Sequence, residues 1–214
     1  QPHANVIFPH MFAWLDEVLE VAKSHPETLF VIRAHPDEIR PGKASRESVA
    51  GWLKDRDAES SPNVIFVSSD QYFSSYEMIH RSKFVMIYNS TIGMEASIMG
   101  KPVLCAGKAR FTQLDTVYFP QSRQAYLGRL EEFLTIDEVP VLPEHQQNAR
   151  RFLYFQLFYT SLPFDRYLEP DEIWPGFVRL KEFDWQELLP ENSQTLKVIS
   201  EGLVEGRDFI IPEG

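Results

Sequence analysis

Two short polar clusters stand where an apolar run gives way to a helix-like pattern. The first is "IRAHPDE", which brings Arg33, His35, Asp37 and Glu38 together. Pro36 holds the residue before it in an extended conformation. An imidazole held out from a strand end can donate to a phosphate oxygen, and Arg33 can pair with a phosphate or a carboxylate. The same residues also suit a polar loop whose histidine makes only local hydrogen bonds. The second cluster is "YNSTIGMEA", from Tyr88 to Ala96. Asn89 or Ser90 can cap the helix that follows. The same geometry offers an anion the N–H groups of Thr91, Ile92 and Gly93 and two hydroxyls. Gly93 would let a ligand approach the backbone closely. Glu95 falls one turn below Thr91, where a carboxylate can accept two hydrogen bonds from vicinal ribose hydroxyls. Its neighbours Ile92, Met94, Ala96 and Ile98 predict a mostly buried helix, and a carboxylate there needs a partner.

Two further loops are less specific. "GKARF" puts Lys108 and Arg110 after a tight turn at Gly107, facing either a donor diphosphate, an anionic acceptor or plain solvent. "SSDQYFSSYE" offers Ser68, Ser69, Asp70 and Tyr72 to a base or a sugar. The six histidines are scattered, with no HExxH and no Cys/His spacing, so no metal site is expected. There is no GxSxG elbow, P-loop or GxGxxG. A Ser90–His35–Asp70 triad lacks a strained nucleophile turn. Cys105 is the only cysteine, lies in the apolar "KPVLCAG", and reads as a small core residue. "NST" matches a glycosylation sequon but lies inside a packed junction.

These loops need elements that aim them at one place. Five apolar runs read as buried strands: Asn5–Phe8, Thr28–Ala34, Asn63–Val67, Lys83–Tyr88 and Pro102–Ala106. They lack clean alternation, as expected of strands covered on both faces. Helical stretches separate them. "MFAWLDEVLEVAKSH" carries Phe12, Leu15, Val18, Leu19 and Ala22 on one stripe. "SRESVAGWLKD" opens with a cap in Ser45, Glu47 or Ser48. "SSYEMIHRS" and "STIGMEASIMG" are shorter, and Gly100 before Lys101-Pro102 is a stop signal. Alternating strands and helices predict an α/β fold, a Rossmann-like parallel sheet with helices on both faces. Ligands then bind at the carboxyl ends of the strands. Residues 1–120 form that core in this reading, and 121–214 a helical and irregular extension packed on it as one domain. The extension includes "QSRQAYLGRLEEFL", a longer helix in "PEHQQNARRFLYFQLFYTSLPF", and a last helix in "SQTLKVISEGLVEG".

The chain of 214 residues is 43% hydrophobic and 24% charged, enough for a proper core and against disorder. Its net charge of −10 argues against a nucleic-acid partner, which would require a basic face. The apolar runs are far shorter than a membrane span. The chain begins at Gln1, just before the first apolar run, and is expected to be an excised domain or a processed chain.

The order "R-x-HP-x-E", then "N-S-T-x-G-x-E-A-x-x-x-G-K-P-V" two strands later, resembles the carboxyl-terminal half of GT-B glycosyltransferases. The likeness is to bacterial capsular polysaccharide synthesis proteins, with the HP and Ser/Thr arrangement of Kdo and sialyltransferases. It covers roughly Asn5 to Phe111, about half of the chain. It implies a nucleotide-sugar donor, a CMP-sugar foremost with UDP- and GDP-sugars as alternatives, and a glycan or glycolipid acceptor. It implies no other cofactor and a metal-independent transfer. His35 would contact the donor phosphate, Ser90 and Thr91 would hold it at the helix start, and Glu95 would bind the ribose. The implied donor site comprises Arg33, His35, Glu38, Asn89, Ser90, Thr91, Gly93, Glu95 and Lys108. The family's general base sits on an amino-terminal domain that this chain lacks, so the fragment is expected to be inactive alone. In such enzymes the last helix often crosses back to that domain. The implied location is the cytoplasm, at most peripheral to the inner membrane. Two readings compete: half of a nucleotide-sugar epimerase, and a non-enzymatic α/β module with an aromatic interaction surface.

Overall fold

The computed structural model describes residues 2–35, 38, 47–56, 61–174 and 176–212. The chain separates into two compact units, Gln1–Ala149 and Arg150–Gly214.

The first unit is mixed α/β. Helix α1 (Met11–Ser24) is capped by His10, whose Nδ1 accepts from the Ala13 N–H at 3.1 Å. It buries Trp14, Leu15, Val18, Leu19 and Ala22, four of the five stripe residues expected plus the tryptophan. Strand β1 (Phe30–Arg33) follows, then α2 (Val49–Asp55), β2 (Val64–Val67), α3 (Ser75–Arg81), β3 (Val85–Ile87), α4 (Ile92–Ile98) and β4 (Val103–Cys105). Helix α5 (Arg123–Thr135) buries Tyr126, Leu130, Phe133 and Leu134. Helix α6 (Pro143–Phe155) begins in this unit and continues into the second, where it runs on into a π-helical turn, Gln156–Thr160, so the long helix expected here ends earlier and irregularly. The α2 cap is Ser48, whose Oγ accepts from the Gly51 N–H at 3.1 Å; Ser45 lies outside the described residues.

Four of the five expected strands are present, but they form two parallel pairs. In one, Arg33 of β1 stands opposite Val67 of β2. In the other, Ile87 of β3 stands opposite Cys105 of β4. The run Asn5–Phe8 is not a strand. It is a series of bends after a 3₁₀ turn at Pro2–Ala4. Pro9, directly after it, lacks an N–H and cannot extend a ladder. It is still fastened into the core: Ala4 O accepts from the Lys108 N–H at 2.9 Å, Tyr88 Oη donates to Asn5 Oδ1 at 2.6 Å, and Phe8 packs edge-on to Tyr126. Burial on both faces holds for β4, which is fully buried. It fails for the β1–β2 pair, where the facing residues Val31 and Ile65 are 48% and 46% exposed.

Asn63 fastens this unit in a way its place at a strand start does not advertise. Buried beside β2, it donates from Nδ2 to the carbonyls of Ala22, His25 and Thr28 at 2.8, 2.9 and 3.1 Å. The α1 terminus and the approach to β1 therefore meet on one amide. At the far end of α4, Gly100 takes φ +78°, and Lys101 N–H reaches back to Ala96 O at 2.9 Å, closing the helix as its sequence predicts.

The second unit holds an antiparallel pair, β5 (Leu168–Pro170) with β6 (Val178–Leu180), which the sequence reading left as irregular chain. Its last helix, α7 (Gln194–Glu205), is capped by Ser193 and stopped by Gly206 at φ +70°. Tyr167 anchors this unit, its hydroxyl donating to Glu187 O at 2.8 Å and pairing with the Ser193 hydroxyl at 2.7 Å.

Candidate functional site

The parallel pairing carries the ends of β1 and β2 to one edge. Arg33 and Val67 are in register, and the Ala34 N–H donates to Val67 O at 3.0 Å, so the loops after both strands start side by side. Arg33 is the residue there that its surroundings leave unsatisfied. Its Nε and Nη1 are buried and have no hydrogen-bond partner among the described residues. Buried donors are normally paired, and a guanidinium is the strongest case of that rule. An anion with oxygens at the right spacing would complete it.

His35 is exposed, two residues beyond. Asp37 lies outside the described residues. Glu38 turns to the α2 start, where its Oε2 accepts from the Val49 N–H at 3.4 Å. Burial pushes its carboxyl up, against the opposing pull of the Val49 N–H and of nearby His35. Glu38 thus has a structural partner of its own.

The junction after β3 differs in detail from the expectation. The α4 cap residue is Thr91, itself in helical conformation, with no side-chain capping bond. The cap position thus falls one or two residues after Asn89 and Ser90, and the Ser90 carbonyl accepts from the Gly93 N–H at 3.1 Å. That removes Gly93 from the expected set of free N–H groups and leaves Thr91 and Ile92. Gly93 has another reason to be glycine. It is buried, and a Cβ there would lie 3.2 Å from Ile87 Cγ1 and 3.3 Å from Val103 Cγ1. Its lack of a side chain lets α4 press on β3 and β4. Gly107 behaves alike: a Cβ would lie 2.9 Å from Tyr88 O and 3.2 Å from Ala4 O.

Glu95 is only partly buried, and it has a partner that sequence reasoning missed. The Tyr76 hydroxyl of α3 donates to Glu95 Oε2 at 2.5 Å, and that carboxylate pushes the Tyr76 phenol above its ordinary range. The bond ties the helix after β2 to the helix after β3. Both residues fall in the first turns of their helices, which is the only trace of the contact in the sequence.

In the β2–α3 loop, Ser68 Oγ donates to Asp70, and the Ser68 N–H donates to Gln71 Oε1 at 2.9 Å. These bonds staple the loop, so Ser68 and Asp70 of the expected set are engaged with each other. Lys108 and Arg110 are exposed on the loop after β4. Cys105 is fully buried, and burial pushes its thiol up to about 12, so it is a core residue without nucleophilic character. A depression of about 440 Å³ runs along β2, lined by Leu53, Val64, Ile65, Phe66, Ser68 and Gln71, and includes none of the predicted donor-site residues. Among the described residues, no group of three or more His, Cys, Asp or Glu is arranged to hold a metal ion. Among the same residues, no helix is long and apolar enough to cross a membrane.

The family described as "Capsule polysaccharide biosynthesis protein" matches residues 5–114, just over half of the chain. Protein FixF of Sinorhizobium fredii (strain NBRC 101917 / NGR234) is 29% identical over 126 residues, which is 59% of this chain. The matched part is 27% of that relative's own length. No solved structure matches the chain.

Proposed function

This chain belongs to the capsule polysaccharide biosynthesis protein family, and from that premise we propose that it binds the nucleotide-sugar donor of a glycosyltransferase acting in cell-surface polysaccharide synthesis. In this reading the two parallel pairs belong to a Rossmann-like donor half of a GT-B enzyme. The observation that carries it is Arg33 at the carboxyl end of β1, whose buried Nε and Nη1 have no hydrogen-bond partner among the described residues. A cation in that state is what a phosphate site looks like before its anion arrives.

The division of labour follows from the chemistry of transfer. An acceptor hydroxyl attacks the sugar's anomeric carbon, the bond from that carbon to the phosphate oxygen breaks, and the nucleotide leaves with added negative charge. Arg33 and His35 offset that charge, the electrostatic work that such sites supply, without a metal. Ser90 and Thr91 flank the phosphate, with Asn89 shaping the turn. Glu95, held by Tyr76, takes the ribose hydroxyls. Lys108 faces the donor diphosphate or an anionic acceptor. The general base is assigned to no residue of this chain. A CMP-sugar is the first choice of donor, with UDP- and GDP-sugars next, and a glycan or glycolipid is the acceptor.

Calorimetric titration with CMP, UDP and GDP tests the reading, with Arg33→Met and Glu95→Ala as controls. Saturable binding of one of them, weakened in both variants, is the expected result. Failure of a folded chain to bind any of the three defeats the reading. Preference for CMP would assign a Kdo- or sialic-acid-type donor, and preference for UDP or GDP a hexose transferase.

A further inference from the structure

The loop between β2 and α3 spends its polar groups on itself and presents its aromatic ones. The Ser68 hydroxyl donates to Asp70 and its backbone N–H to the Gln71 side chain, and backbone bonds from Gln71 N–H to Ser68 O at 3.2 Å and from Phe73 N–H to Gln71 O at 3.1 Å tighten the same turn. Tyr72 is 100% exposed, Phe73 56% and Tyr76 54%. Three large rings in five residues are thus held in water by a stapled loop. Nothing in the folding of this unit requires them there, since each ring would be stabilised by burial.

Their position says what they are for. The loop starts at Val67, opposite Arg33. It leads into the first turn of α3, where the Tyr76 hydroxyl holds Glu95 at 2.5 Å. The anion-seeking group and the proposed ribose-binding carboxylate are therefore on the two elements next to the aromatic loop. A ribose taken by Glu95 carries its base on the carbon beside the 2′-hydroxyl, on the side away from the phosphate. We infer that Tyr72 and Phe73 form a stacking platform for the planar base of the donor nucleotide, with Tyr76 positioning Glu95 beneath it. This rests on the reading of the site as a nucleotide-sugar site. Every base has a π-face, so such a platform supplies affinity and tolerates different bases. Discrimination among bases must come from elsewhere.

The test compares ligands with and without a base on the full chain. Wild type and the double variant Tyr72→Ala/Phe73→Ala are titrated with the tightest of CMP, UDP and GDP, and with ribose 5-phosphate. Both positions are exposed, so the variant is expected to fold, which circular dichroism checks. The platform predicts a loss of about 10-fold or more in nucleotide affinity in the double variant. Ribose 5-phosphate affinity should stay unchanged, and Tyr72→Phe should behave as wild type. Nucleotide binding that is the same in wild type and double variant overturns the platform while leaving the nucleotide reading in place. An equal loss for both ligands overturns it too, because it would mean a disturbed loop. In a parallel titration with a methyl pyranoside, a loss confined to that ligand in the double variant, with nucleotide affinity intact, would make the loop an acceptor surface and overturn the base assignment. A wild-type chain that binds neither nucleotide nor ribose 5-phosphate defeats the underlying reading and the platform with it.

Discussion

Replacing Arg33 by methionine should make the ligand-free protein more stable and the nucleotide complex weaker. The perturbation removes the guanidinium and keeps an unbranched stem of similar reach, which suits an irregular site. Nε and Nη1 together carry three of the five guanidinium N–H donors, and in the structure they are buried without a partner among the described residues. A buried unsatisfied donor costs about 1–3 kcal/mol, and charged groups cost more. Allowing for donors that water reaches during fluctuations, a net gain of about 1–3 kcal/mol is expected for Arg33→Met. For a chain of this size that raises the melting temperature by about 2–4 °C per kcal/mol. In the complex the same guanidinium would make charge-assisted bonds worth about 1.5–3 kcal/mol, so nucleotide affinity should fall roughly 10- to 150-fold. Thermal melts without ligand and calorimetry with it measure the two halves. Opposite signs are the signature of a group kept for binding at the expense of stability. A variant that melts lower by more than about 1 kcal/mol, or that binds nucleotide like wild type, refutes the reasoning, because Arg33 would then be a structural residue.

Gly93→Ala should destabilise by about 1–3 kcal/mol through overpacking against Ile87 and Val103, read from chemical denaturation, with no requirement that a ligand be present. Asn63→Ala should cost about 2–3 kcal/mol, since the carbonyls of Ala22, His25 and Thr28 lose the donor that joins them; the check is the shift in urea midpoint. His25 lies between Glu131 at 2.8 Å and Glu27 at 3.0 Å, and the hydrogen bond to Glu131 foremost raises its pKa above the ordinary 6.5. A raised folded pKa means stability that is fully present below the unfolded value and is lost as pH rises through the folded one. The stability gap between wild type and His25→Gln should therefore be wide near pH 6 and narrow by about pH 8.5, and a gap that widens with pH would contradict the pairing.

Local signals were legible because they depend on neighbours in the chain. The apolar stripe of α1, the stop at Gly100, the serine cap of α2, and four of the five strands follow from spacing and from residue type alone. Family membership was legible too, since the HP and NST-x-G-x-E motifs are contiguous strings. What the sequence could not decide is which polar group has a partner. Glu38 and Glu95 look alike as carboxylates near strand ends, yet one turns to the Val49 N–H and the other to Tyr76. Gly93 and Gly107 read as room for a ligand or a turn, and the packed chain fills that room with Ile87, Val103, Tyr88 and Ala4. Asn5–Phe8 has a strand's composition, but strand pairing is a property of two segments, and no described segment forms a ladder with it. Residue types and their order thus determined the α/β character, the motifs and the helix ends marked by a cap serine or a stop glycine, as at Ser48 and Gly100. Hydrogen-bond pairing and close packing join residues far apart in the chain, so only the tertiary structure decided that the buried Nε and Nη1 of Arg33 meet no partner among the described residues and that Tyr76 holds Glu95.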